Sequence, residues 1–325
     1  MKRAGVFTLA AVLLFSVTWA EAAVQNWKVW GANPPSALET MATQKFCDLV
    51  KQRSNGQLSL TLFPAMQLGD SMPALEMTRA GEIHIVANTS SWHTRFVPEW
   101  EILSFPYVVK DYDHLRRIQK SAWFKDLEKK YYDKGLKILG NTGWRLPRVV
   151  LHRKKAITRP EDIVGVKTRM ADQKIFVKPW QDFGAEVMIL SFSEVAMGLQ
   201  TGMVDAMDAP ANTIYPQKFY QGAPNITMTN HQMDTFDLIV SRIHWEKVSA
   251  DQQKLLQEAA EESLAWYASQ MDSRWAEDQA KLKKEGVTIH AADGAAWRKK
   301  ALEIAQKWEE RGEWPKGWFK MIQDF

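Results

Sequence analysis

A single cysteine, Cys47, stands among 325 residues, so an internal disulfide framework and a Cys-rich metal site are both excluded. One thiol suits an exported protein that folds without oxidation. Charge of one sign is also missing: 42 basic residues face 38 acidic ones, and no basic block occurs. Nucleic acid is therefore not an expected partner. Beyond the N-terminus no apolar run approaches the ~18 residues of a membrane span. Gly-x-Gly-x-x-Gly, the P-loop, Gly-x-Ser-x-Gly, His-Glu-x-x-His and Cys-x-x-Cys are all absent, which leaves catalysis without a motif and gives no reason to expect a cofactor. The histidines are His84, His93, His114, His152, His231, His244 and His290, and no two sit three or four apart on a helix as a metal pair would require. No metal site is expected. A hydrolase or lyase would have to rest on Asp208 and His231 without a nucleophile-base pair.

What is present begins with Lys2 and Arg3, an uncharged, mostly apolar run from Ala4 to Ala20, and a small-x-small Ala20-Glu21-Ala22. Residues 1–22 read as a secretory signal, whose removal leaves a net charge of about +3 and places the protein in the periplasm. The remaining chain, within a sequence that is 46% apolar, can bury two cores, since one core stops growing near ~250–300 residues. No long exposed apolar stripe is evident, so a monomer is expected.

The first part reads as a βαβαβ unit: strand Trp27–Gly31, a helix opened by a capping box at Ser36–Glu39, strand Leu58–Phe63, helix Pro73–Ala80 stopped by Gly81, and strand Ile83–Ala87. The second part repeats it, with strand Gly165–Met170, a helix from about Gln173 to Phe183, strand Glu186–Leu190, a capping box at Ser191–Glu194 and strand Val204–Met207. Gly81-Glu82-Ile83 and Gly202-Met203-Val204 hold equivalent places. A helix from Ser249 to about Glu285, roughly 50 Å long, is too long for one lobe and should span both. Strand Val287–His290 and a helix to about Arg311 follow. With no linker rich in Ser, Gly or Pro, the expected architecture is α/β: two interleaved lobes of periplasmic-binding-protein type with a ligand cleft between them. The first lobe takes 23–148 plus about 233–270, and the second takes 149–232 plus about 271–325.

Arg169, at a strand end in Val-Gly-Val-Lys-Thr-Arg-Met, either pairs with a surface acid or presents its fork to a ligand carboxylate. Arg145 and Arg148 stand at the crossing between lobes and either reach the cleft or are solvated. Ser90, Ser91 and Trp92 follow the third strand, where Trp92 is an apolar wall or ordinary packing. Asn33 and Asn212 complete the polar candidates.

The segments KFCDLVKQRSNGQLSLTLFPAMQLGD, RFVPEWEILSFPYVVKDYDH, GVKTRM and SFSEVAMGLQTGMVDAMDAP, in that order, resemble the extracytoplasmic solute receptors of the TRAP transporter family, the DctP-like proteins. The resemblance implies two lobes that close on a small organic acid and deliver it to the membrane subunits of a TRAP permease. It puts Arg169 at the carboxylate-binding arginine and Phe192 at an aromatic lining the pocket in sialic acid receptors. Asp208 and Ala209 fall where the family's Glu-Asn occurs, and Trp92 stands in place of a second cleft arginine. The missing Asn and Arg argue against a polyhydroxylated sugar acid, whose buried hydroxyls each need a partner. A smaller or partly apolar carboxylate fits better. A metal bridging the ligand at Asp208 would rest on one carboxylate only.

Overall fold

The structure, a computed structural model, describes residues 24–325. The expected signal peptide lies outside the described residues. Strands β1 (Gln25–Gly31), β2 (Leu58–Phe63) and β3 (Ile85–Thr89) alternate with helices α1 (Leu38–Arg53) and α2 (Ser71–Ala80), and β1 pairs in parallel with both neighbours. Three helices follow, α3 (Glu101–Ser104), α4 (Tyr112–Lys120) and α5 (Ala122–Asp133), before β4 (Leu136–Trp144) and β5 (Arg148–His152). The βαβαβ plan then recurs as β6 (Lys167–Met170), α6 (Lys174–Asp182), β7 (Glu186–Ile189), α7 (Val195–Thr201) and β8 (Ala206–Pro210). Strands β9 (Asn225–Gln232) and β10 (Thr235–Ser241), helices α8 (Arg242–Trp245) and α9 (Ala250–Lys284), strand β11 (Thr288–Ala291), and helices α10 (Gly294–Glu310) and α11 (Trp318–Asp324) complete the described chain.

Two sheets result, a five-stranded one in the order β2-β1-β3-β10-β4 and a six-stranded one in the order β11-β9-β5-β8-β6-β7. Each unit of parallel strands is extended by an antiparallel strand from the other half of the chain: β10 lies against β3, and β5 against β8. This exchange interleaves the lobes. The chain passes from the first sheet to the second at residues 145–147 and returns at 233–234, between adjoining strands. Helix α9 is the third connection. Its Leu256, Ala259, Leu264 and Tyr267 are buried in the core of the first sheet, while Leu282 is buried with Val149, Met207 and Ile226 of the second.

Local sequence sets several of these boundaries. Gly81 and Gly202 both end helices in the left-handed conformation, with φ of 84° and 81°, which favours glycine because it lacks a Cβ. The strands that follow begin two residues later than the hydrophobic pattern predicts. The N–H of Ile83 is still bonded to Met77 O, and that of Val204 to Gly198 O. The capping box expected at Ser36–Glu39 does not form: Ala37 is the N-cap, without a side-chain bond. Glu39 instead turns into the protein and takes part in the site described below. At Ser249 the box is present, with Ser249 Oγ accepting from Gln252 N and Gln252 Oε1 from Ser249 N.

The final helix α11 docks against residues 108–117 of the first half, where His114 Nε2 meets Ile322 O at 2.8 Å and Gln323 Nε2 donates to Val108 O at 2.6 Å. Cys47 is buried in α1, and burial pushes its thiol up to about 12. No helix among the described residues is long and apolar enough to cross a membrane.

Candidate ligand-binding site

The C-terminal ends of β1, β3, β6 and β8 converge on a cavity of about 280 Å³ between the two sheets. Ligands of open α/β sheets sit at such strand ends because the loops diverging there leave a crevice. The first half contributes Ala32, Asn33, Asp70, Ser71, Met72, Pro73, Asn88 and Trp92, with Phe236 from β10. The second contributes Arg169, Phe176, Ile189, Leu190, Phe192, Asp208, Ala209 and Thr213, and the crossing adds Arg145 and Arg148.

Arg169, on β6, is 5% exposed. Its Nε and Nη2 donate to the carbonyl of Leu190 at 3.0 and 2.7 Å, which fixes the plane of the guanidinium. No acidic side chain lies within ion-pair distance of it among the described residues, so the alternative of a surface ion pair is not realised. Burial lowers its pKa to about 10; the charge of Asp208 opposes this, and that of Arg148 adds to it. The charges of Asp70 and Glu194 act in the same sense as that of Asp208, but none of these acids touches this desolvated cation, and an incoming carboxylate supplies the missing contact.

The other two arginines line the same cavity but are committed. Arg148 grips Asp208 with both ends of its fork, Nε to Oδ2 at 2.6 Å and Nη2 to Oδ1 at 2.9 Å, and its Nη1 reaches Asp234 Oδ2 at 3.4 Å. Burial lowers the Arg148 pKa, but Asp208 and Asp234 outweigh it, so the net shift is upward. Burial raises that of Asp208, and Arg148 overrides it, so the carboxylate is held well below its usual range. His231 Nε2 meets Asp208 Oδ2 at 3.1 Å, and burial lowers its pKa despite that contact. Arg145 Nη2 donates to Glu39 Oε1 at 3.2 Å, the oxygen that also accepts from Asn212 Nδ2 at 2.7 Å. Both expected crossing arginines thus reach the cleft with acids already attached.

Asn33, Trp92, Phe192, Asp208 and Ala209 line the cavity as well. Ser90, Ser91 and Asn212 do not, and the cause is competition from closer partners. Ser90 Oγ accepts from Thr235 N at 3.2 Å, and Ser91 is fully buried, donating to Asp234 and accepting from Gln232 Nε2. Asn212 faces Glu39 instead of the cavity. Asn88 lies in the segment after the third strand where the first lobe was expected to face the ligand, whereas Asp70, Phe176 and Phe236 line the cavity without having been expected there. Phe176 and Phe236 share the periodicity of core residues, so no local signal separates them; Asp70, an acid just before Ser71 at a helix start, was the one legible cue. Among the described residues no group of three or more His, Cys, Asp or Glu could hold a metal ion.

Two α/β lobes with interchanged strands, closed over a cavity that holds one uncompensated arginine, define a solute-receptor class of protein. The family model for bacterial extracellular solute-binding protein family 7 (DctP) matches residues 29–311, and the chain belongs to that family. It is 27% identical over 299 residues to the sialic acid-binding periplasmic protein SiaP of Vibrio cholerae, covering 90% of this chain and 91% of that one. It is 26% identical over 283 residues to the C4-dicarboxylate-binding periplasmic protein DctP of Rhodobacter capsulatus, covering 85% and 84%. A TRAP periplasmic solute-binding protein of Actinobacillus succinogenes with bound L-galactonate superposes with a TM-score of 0.86 at 25% identity, covering 92% and 98% of the two chains. One from Polaromonas with bound D-erythronate gives 0.84 at 26% identity, again covering 92% and 98%.

Proposed function

We propose that the protein is a periplasmic receptor that captures a small organic acid by lobe closure and hands it to the membrane subunits of a TRAP permease. The observation that carries this reading is Arg169: buried, oriented by Leu190 O, lining the cavity and without an acidic partner in ion-pair contact among the described residues. The ligand carboxylate accepts from the guanidinium N–H groups that Leu190 leaves unused. Closure follows because both sheets contribute cavity wall, so a ligand gains its full set of contacts only when the two come together. The relatives named above are binding proteins for acids, and membership of their family supports the same role here.

No bond making is required. The pair on which a hydrolytic reading would rest, Asp208 and His231, supports binding better than catalysis. Arg148 occupies the Asp208 carboxylate with two hydrogen bonds, and both residues are at most 2% exposed.

The test is calorimetry on Arg169→Ala with whichever carboxylate stabilises the wild-type protein in a thermal-shift screen. Charge-assisted hydrogen bonds contribute ~1.5–3 kcal/mol each, so loss of two should weaken binding by at least about 100-fold while the circular dichroism spectrum stays unchanged. An Arg169→Ala protein with wild-type affinity would remove the assignment.

A further inference from the structure

Building on the receptor reading, we infer that the cavity selects ligands with one carboxylate, an apolar body and a hydrogen-bond donor, and that Asp70 is the residue that rejects a second carboxylate. The first ground is how the charges are matched. Of the three arginines at the cavity, Arg145 is held by Glu39, and Arg148 by Asp208 and Asp234; Arg169 alone has no acid among the described residues. A ligand therefore meets one cation in need of an anion. A dicarboxylate would bring a second charge with nothing to receive it.

The second ground is Asp70. Asp70 lines the cavity; its Oδ1 caps α2 by accepting from Ser71 N at 2.7 Å, whereas its Oδ2 is buried and has no partner among the described residues. Asn88 Nδ2 is likewise buried at the cavity wall without an acceptor. An unpaired carboxylate oxygen repels another carboxylate and attracts a donor. A ligand hydroxyl can donate to Asp70 and accept from Asn88, while an ammonium group serves Asp70 alone.

The third ground is the remaining wall. Trp92, Phe176, Phe192 and Phe236 line the cavity beside Ser71, Thr89, Ser191 and Thr213, so much of the ligand body meets carbon, and hydroxyls placed against the four aromatic residues would be buried without partners.

The experiment measures dissociation constants of the wild-type protein and of Asp70→Asn and Arg169→Ala. The probes are 2-hydroxy-4-methylpentanoate, 3-phenyllactate, leucine and phenylalanine, set against succinate, malate and glucuronate. Asn is as good an N-cap as Asp, so Asp70→Asn keeps helix α2 while it removes the charge and puts an amide N–H donor in place of the unpaired oxygen. The expected result is that at least one hydroxy or amino monocarboxylate binds 100-fold or more tightly than the three others, and that Asp70→Asn shrinks this ratio at least 10-fold by improving dicarboxylate binding. The preferred arm, hydroxy or amino, names the donor. Succinate, malate or glucuronate binding as tightly, with Arg169→Ala abolishing it, overturns the inference and leaves the receptor reading standing. A ratio unchanged in Asp70→Asn overturns the role of Asp70. If no carboxylate binds at all, the receptor reading itself fails and takes the inference with it.

Discussion

Arg148 and Arg169 are the same residue type lining the same cavity, and their surroundings give them opposite tasks. Arg169 keeps its charge unmatched for the ligand. Arg148 is consumed in holding Asp208, on β8, and Asp234, at the return crossing, and so ties the two strands that exchange between sheets to one another. Removing one member of a buried charge network leaves the others uncompensated, typically at ~3–5 kcal/mol. Arg148→Met should therefore lower stability by about that amount, read as a fall in the urea midpoint at unchanged slope. Adding Asp208→Asn and Asp234→Asn to it should recover most of the loss. If Arg148→Met unfolds at the wild-type midpoint, the network is not what holds the crossings together. Arg169→Ala should behave in the opposite way, weakening binding without destabilising the fold.

The elements differ in how far their sequence announces them. Both βαβαβ units were legible because each strand and helix carries its own periodicity and each helix is followed within three residues by a glycine. The partners β5 and β10 were not, since a strand's place in a sheet depends on which distant chain segment lies beside it. Trp92, Phe192 and the three arginines of the site were visible from motif and position. Ser91 and Asn212 were misplaced because polar residues near a cleft face either inward to a network or outward to ligand, and spacing does not say which. The seating of α9 on β4 also depends on residues with no pattern of their own. A Cβ on Gly140 would lie 2.9 Å from Leu264 Cδ1, and one on Gly143 would lie 3.0 Å from Leu264 Cδ2 and press on the Phe236 carbonyl oxygen. These two glycines let a long helix approach the sheet and bury Leu264, whose removal from water is worth ~1.5–3 kcal/mol. Gly143→Ala has no such room, because the obstructing atom is backbone of the neighbouring strand. The expected loss is ~1–3 kcal/mol, visible as a lower melting temperature; a variant as stable as wild type would show that β4 and β10 can separate locally at no cost.

Between the two lobes three side-chain contacts form a closing set. Gln217 Nε2 donates to Asn33 Oδ1 at 3.0 Å, Thr94 Oγ1 to Gln173 Oε1 at 2.8 Å, and Lys174 Nζ to Glu101 Oε2 at 3.0 Å, each joining a loop or helix of one sheet to one of the other. Helix α9 and the paired crossings stay fixed to both lobes, so they are the natural axis about which the rest turns. Gln217 itself does not line the cavity, although its partner Asn33 does, so its substitution acts on binding through the balance of open and closed forms together with the freed Asn33 side chain. When the binding-competent form is only a fraction of the free protein, apparent affinity scales with that fraction. One hydrogen bond lost from the closed form, at ~0.5–1.5 kcal/mol, should therefore reduce affinity about 2- to 10-fold in Gln217→Ala. Small-angle scattering should give the same radius of gyration as wild type for the ligand-saturated variant. Unaltered affinity would mean that the Gln217–Asn33 bond forms equally in both states, and the axis of closure would then have to lie on the Gln217 side of the cleft.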